Sequence, residues 1–131
     1  MIRKAEEKDL PVLLEIETEL FAHPWPETEF LYEYHENPFS TMYVYEEDGV
    51  ICGFTDLWIT YEQAQIANLG VRREYQGKGY GDALLKKCVN QGIKEGCENL
   101  TLEVRISNDH AIHVYEKNGF ITVNKRKNYY D

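Results

Sequence analysis

The chain has 131 residues, 43% hydrophobic and 28% charged, a size for one domain with its own core and a soluble, globular composition. No apolar run approaches the roughly 18 residues of a membrane span, and no basic-then-apolar leader is visible, so neither membrane insertion nor export is expected. The net charge of −9 is uneven: residues 1–48 carry 13 acidic and 3 basic side chains, residues 49–131 carry 10 and 11. No basic face is evident to neutralise phosphates, which argues against nucleic acid as a partner, whereas a cationic ligand is drawn to the N-terminal half.

In chain order, Met1–Ala5 reads as a short strand. "EEKDLPVLLEIETELF" then puts Leu10, Leu13, Leu14, Glu17 and Leu20 at helical spacing, with Asp9 as N-cap. "HPWP" breaks the chain, and "ETEFLYEYHENP" predicts a second helix that ends before Pro38. "TMYVYEEDGVICGFTDLWITYE" alternates like two strands joined at Glu47-Asp48-Gly49, and "QAQIANLGVRR" is a third. "GDALLKKCVNQGIKEG" is a helix closing at Gly96, "NLTLEVR" a strand, "SNDHAIHVYEKNG" a short helix capped by Ser107 or Asn108, and "FITVNKRK" a last strand. The order predicts a single α/β domain over 1–131, a mixed, mostly antiparallel twisted sheet flanked by about four helices. Cys52, Cys88 and Cys97 have no metal-like spacing and predict buried free thiols in a reducing cytoplasm. His23, His35, His110 and His113 form no set, so no metal is expected.

The most specific stretch is "NLGVRREYQGKGYGDALL", a strand, a glycine loop and a helix. That order presents backbone N–H groups and a positive helix end to an anion. The P-loop pattern fails because Asp82 follows Gly81, and the dinucleotide fingerprint fails because Gly77, Gly79 and Gly81 are spaced GxGxG. A pyrophosphate loop of the form Q/R-x-x-G-x-G/A fits Gln76–Gly81.

The ordered set "IANLGVRREYQGKGYG", "LTLEVRISNDHAIHVYEKNGF" and "RKNYY", with the early "LFAHPWPETEF", resembles the GNAT superfamily of acetyltransferases over essentially the whole chain. Within it, the chain looks like the branch that acetylates the N-terminal alanine of a small-subunit ribosomal protein. The resemblance implies a GNAT fold and acetyl-CoA as cosubstrate. It implies that Gln76, Gly77, Lys78, Gly79, Tyr80 and Gly81 ring the pyrophosphate, with Arg72, Arg73 and Lys78 adding charge on the same side. Pantetheine would lie along Asn68-Leu69-Gly70-Val71, with Gly70 suiting a bulge. The Val71 N–H would face the thioester oxygen. Asn108 would hold the pantetheine arm, or cap its helix, or both. Glu103 reads either as a solvent-facing strand residue or, by the motif, as general base through a water. Tyr115 reads either as a core aromatic or as the acid that protonates the departing thiolate.

On the acceptor side, Phe21, Trp25 and Phe30 are either groove walls or core, and Tyr129 and Tyr130 match paired tyrosines near the acceptor amine. The acidic first 48 residues suit a basic N-terminal peptide, of a ribosomal protein in the resembled enzymes. A small-amine acetyltransferase and a non-catalytic acyl-CoA-binding module are the alternatives. The resembled enzymes continue past "RKNYY" with one more strand. Its apparent absence predicts an exposed sheet edge that associates with a second molecule as a homo-oligomer.

Overall fold

A computed structural model describes residues 1–105 and 107–120. Five strands form one sheet in the order β1 (Ile2–Lys4), β2 (Ser40–Glu47), β3 (Val50–Thr60), β4 (Gln63–Val71) and β5 (Asn99–Leu102). The first four run antiparallel, and β5 lies parallel to β4, the mixed sheet anticipated from the element order. Helices α1 (Leu10–Leu20) and α2 (Glu27–His35) cover one face. Helices α3 (Tyr80–Lys94) and α4 (Asp109–Lys117) cover the other. The β2–β3 hairpin turns on Asp48 and Gly49 at φ 52° and 79°, the left-handed pair a two-residue turn demands. Asp9 precedes α1 but does not cap it. Its carboxylate takes the Arg3 guanidinium at 2.8 and 3.1 Å and the Glu6 N–H at 2.7 Å, which holds it below the usual carboxylate range.

Strand alternation splits the core. Met42, Val44, Phe54 and Ala67 join Leu10, Leu13, Ile16 and Phe30 beneath α1 and α2. Tyr43, Leu57, Ile66, Leu69 and Val71 join Leu84, Leu85, Cys88, Val114 and Tyr115 beneath α3 and α4. The fully buried members alone contribute about 1.5–3 kcal/mol each.

A bulge interrupts β4, but not at Gly70. Asp56 pairs with Asn68 and Leu57 with Ile66, so Ala67 is the extra residue. Gly70 stays in register opposite Phe54. A Cβ there would come within 3.0 Å of Leu20 Cδ1 and 3.3 Å of Phe54 Cε1, so the missing side chain admits α1 to the sheet. Because of the bulge, the consecutive residues Ala67 and Asn68 both face α1 and α2. Strand β5 stops at Leu102, short of the expected Arg105, and the last rung is Glu103 N–H to Ile66 O at 3.0 Å. Beyond it β4 keeps its pairing with β3. The expected strand "FITVNKRK", apart from Phe120, lies outside the described residues. So do Tyr129, Tyr130 and the sheet edge on which association was expected.

Candidate active site

The site begins where β4 and β5 part. The Arg72 N–H bonds Cys52 O of β3 at 2.9 Å. Alternation then turns the N–H and C=O of Leu69 and Val71 away from β3, toward the gap. Two amide side chains meet them there: Asn108 Nδ2 donates to Leu69 O at 3.1 Å, and Gln76 Nε2 donates to Val71 O at 2.9 Å. Asn108 also caps α4, its Oδ1 accepting from the Ala111 N–H at 3.1 Å. One residue thus fixes the start of α4 against the open part of β4.

The glycine loop leads from the gap to α3. Gly77 and Gly79 take φ of 83° and 87°, and the space a Cβ would fill at each is open. Gly79 is the N-cap of α3, and the Ala83 N–H returns to Gly79 O at 3.0 Å. The N–H groups of the first turn ahead of it have no carbonyl one turn back within α3. Gly81 answers a different demand. A Cβ on it would sit 2.9 Å from His110 Cε1 and 3.0 Å from Val114 Cγ2, so this glycine lets α4 close on α3. Burial pushes the His110 imidazole below its ordinary range, against the pull of Asp82. The three expected charges do not all gather at the loop. The Arg72 guanidinium reaches Glu15 and Glu19 of α1 at 3.3 and 3.2 Å, and the backbone N–H of Arg73 donates to Glu19 at 2.8 Å. Lys78 stays with the loop, 5.8 Å from the Tyr75 ring, and Tyr80 stacks on Tyr45 at 4.2 Å.

On the α1/α2 face the gap opens into a cavity of about 180 Å³. Pro24, Trp25 and Pro26 form one wall, Trp58, Gln65 and Ala67 another, and Glu29 and Glu103 bring two carboxyl groups. Burial, and the charge of Glu33, raise the Glu29 carboxyl above its usual range, and it makes no hydrogen bond or ion pair among the described residues. Glu103 stands one residue beyond β5, at the strand end rather than mid-strand. Trp25 lines the cavity, whereas Phe21 carries the Arg105 guanidinium 3.9 Å from its ring centre and Phe30 packs on Trp25 and Phe54 in the core.

Tyr115 belongs to the opposite face. It is fully buried, its ring 6.3 Å from Phe120, and its hydroxyl has no hydrogen-bond partner among the described residues. Burial pushes this phenol far above its ordinary range, so it stays protonated. The sheet therefore has a carboxyl group at the cavity on one face and a buried, protonated phenol in the core of the other, with the turned-out backbone of Leu69 and Val71 between β4 and the gap. Such an arrangement can accept a proton on one side of a reacting centre and return one on the other.

Both sides of the cavity hang on Glu17, which sequence reading took only as a core-facing position of α1. Its wholly buried carboxylate accepts from the Trp25 N–H at 2.7 Å and Asn68 Nδ2 at 2.5 Å. Arg105 adds Nη2 at 3.1 Å and Nη1 at 3.4 Å. The signal was a glutamate in an apolar stripe; its partner stands 88 residues away. Among the described residues no group of three or more His, Cys, Asp or Glu side chains could hold a metal ion. No helix among them is long and apolar enough to cross a membrane.

Comparison with known proteins bears on this arrangement. The family model described as "Acetyltransferase (GNAT) family" matches residues 10–120. A Bacillus subtilis protein provisionally named a ribosomal protein bS18-alanine N-acetyltransferase is 36% identical over 129 residues, 98% of this chain and 85% of that protein. The Escherichia coli K12 ribosomal protein bS18-alanine N-acetyltransferase is 34% identical, over 98% of this chain and 86% of its own. The crystal structure of the ribosomal-protein-S18-alanine N-acetyltransferase from Escherichia coli superposes with a TM-score of 0.84 at 32% identity, covering 98% of this chain and 82% of that one.

Proposed function

The chain belongs to the GNAT acetyltransferase family, and we propose that it moves the acetyl group of acetyl-CoA onto the α-amino group of an N-terminal alanine, that of ribosomal protein bS18. The observation that supports this reading is the gap itself, with Glu103 in the cavity on one face and Tyr115 in the core that Leu69 and Val71 join on the other. The amine nitrogen bonds to the thioester carbon as the carbon–sulfur bond breaks. Glu103 takes the proton the amine gives up, through a water, and Tyr115 supplies one to the departing thiolate. The Val71 N–H meets the oxygen that gains charge. Leu69 and Val71 offer backbone to the pantetheine amides beside Asn108. The side-chain-free surface at Gly77 and Gly79, the N–H groups of the first turn of α3 and Lys78 suit the pyrophosphate.

Glu29 and Glu103 make the cavity attractive to a cation, in keeping with a basic acceptor peptide, and Trp25 supplies an apolar wall. Tyr129 and Tyr130 are proposed to complete the acceptor side. Three free thiols suit a cytoplasmic setting. The test is thiol release from acetyl-CoA with peptides beginning Ala, Ser, Met or Gly, for the native protein, Glu103→Gln and Tyr115→Phe. Turnover should be strongest on basic Ala-starting peptides and fall in both variants. Turnover on small neutral amines alone, or acetyl-CoA binding with no turnover on any acceptor, would defeat the reading in favour of a small-amine enzyme or a binding module.

A further inference from the structure

Two buried carboxyl groups behind the cavity have no part in that scheme. Asp56 of β3 is wholly buried and Glu33 of α2 is 2% exposed. Glu33 accepts at both oxygens, from Trp58 Nε1 at 2.5 Å and from Asn37 Nδ2 at 2.8 Å. Asp56 Oδ1 accepts from Ser40 Oγ at 2.6 Å. Its Oδ2 is buried with no N–H or O–H donor among the described residues, and the Asp56 side chain meets Glu33. Two bare carboxylates cannot face each other in a dry interior. The donors decide which one holds the proton. Both oxygens of Glu33 are filled by N–H groups, so the proton belongs on Asp56 Oδ2, pointed at Glu33. Trp58, held by Glu33, is a cavity wall, and Glu29, one turn before Glu33, lines the same cavity.

We propose that Asp56 and Glu33 share one proton, carried on Asp56 Oδ2, and that the pair is a positioning device that fixes Trp58 as a wall of the acceptor cavity. Glu29 faces the pair from α2, and Ser40 from β2. Asn68 stands opposite Asp56 on β4 and leads to Glu17 of α1, whose charge Arg105 matches. Lys4 of β1 lines the hollow beside Glu33 and Ser40 and makes no ion pair with Glu33 among the described residues. Burial and the neighbouring Glu33 push the Asp56 carboxyl well above the usual range. A carboxyl raised in this way keeps in the folded state a proton that the unfolded chain releases above a pH of about 4. Its contribution is complete below that pH and is lost as the pH rises toward the folded value.

Asp56→Asn keeps the shape, accepts from Ser40 and donates to Glu33 as a protonated aspartate does, without titrating. In denaturant unfolding across pH 5–8, the folded-to-unfolded ratio of the native protein should fall relative to Asp56→Asn by about tenfold per pH unit, until the folded carboxyl itself titrates. At pH 7 the Asn variant should be at least as stable as the native protein, and Asp56→Ala less stable. Parallel pH curves for native and Asn proteins would overturn the shared proton. The positioning role rests on the proposed acetyl transfer and is read in kinetics. Glu33→Met, which leaves Trp58 Nε1 without its acceptor, should raise the acceptor KM about tenfold with the acetyl-CoA KM unchanged, while Asp56→Asn keeps both. If Glu33→Met does not fold, Trp58→Phe removes the same hydrogen bond and carries the same expectation. Equal changes in both KM values, or an Asp56→Asn variant as impaired as Asp56→Ala, would overturn it. Should the native protein acetylate no peptide, acetyl transfer to alanine fails, and the unfolding comparison alone decides the pair.

Discussion

Arg105→Met is the sharpest probe of what holds the cavity together. The substitution keeps most of the side-chain length and removes the charge. The Glu17 carboxylate would stay wholly buried with two neutral donors, the Trp25 N–H and the Asn68 amide. Stranding one member of a buried pair costs about 3–5 kcal/mol, a large share of the 5–15 kcal/mol that typically holds a domain. With a urea slope of about 2 kcal/mol/M for a domain of this size, the unfolding midpoint should drop by roughly 2 M. Adding Glu17→Gln removes the stranded charge and keeps an acceptor for Trp25, so the double variant should be more stable than Arg105→Met alone. Urea titration followed by tryptophan fluorescence reads all three proteins. A loss for Arg105→Met no larger than the ~1 kcal/mol of an exposed pair, or a double variant no more stable than the single one, would refute the assignment of Glu17 as a charged hub.

Tyr115→Phe should leave stability unchanged or slightly higher, because the hydroxyl it removes is buried without a partner, while turnover falls by about 10²–10⁴ with acetyl-CoA affinity kept. Calorimetry beside single-turnover kinetics separates the two effects; lost stability with full turnover would return Tyr115 to a purely structural role. Gly81→Ala should cost about 1–3 kcal/mol by overpacking His110 and Val114. Gly77→Ala forces its side chain into a left-handed backbone, at about 1–2 kcal/mol, and should chiefly weaken acetyl-CoA binding. Burial pushes the Cys88 thiol up to about 12, so iodoacetamide at pH 8 should spare it in the folded protein and modify it in urea, with the partly exposed Cys97 modified first; mass mapping of the alkylated peptides checks the order.

What the sequence made legible was local. The Asp48-Gly49 turn, the alternation of β2 to β4 and the glycine loop before α3 depend on neighbours a few residues apart, and each stands in the structure at its expected place. What it hid depends on contacts across the chain. Gly81 looked like a third loop glycine, because spacing cannot reveal that His110 occupies the space its side chain would fill. Gly70 looked like the bulge because glycine tolerates one, yet the pairing with β3 places the extra residue at Ala67. Arg105 read as one more alternating strand residue, and only the fold sets it against Glu17. The carboxyl pair at Asp56 and Glu33 was invisible for the same reason: nothing in "GFTDLW" or "LYEYHE" says that the two segments meet.

The bulge at Ala67 has a consequence for length variation. Deleting most residues of β4 would exchange its two faces, sending core side chains to the wrong side. Ala67 is the exception. Ile66 already faces α3 and α4, and Asn68 already faces α1 and α2, so a strand that passed directly from one to the other would keep every inward residue in place. It would lose the bend, at the point where the ladder to β5 ends, and with it the Ala67 methyl from the core and the cavity wall. A single codon thus carries both the bend of β4 and one wall residue of the cavity.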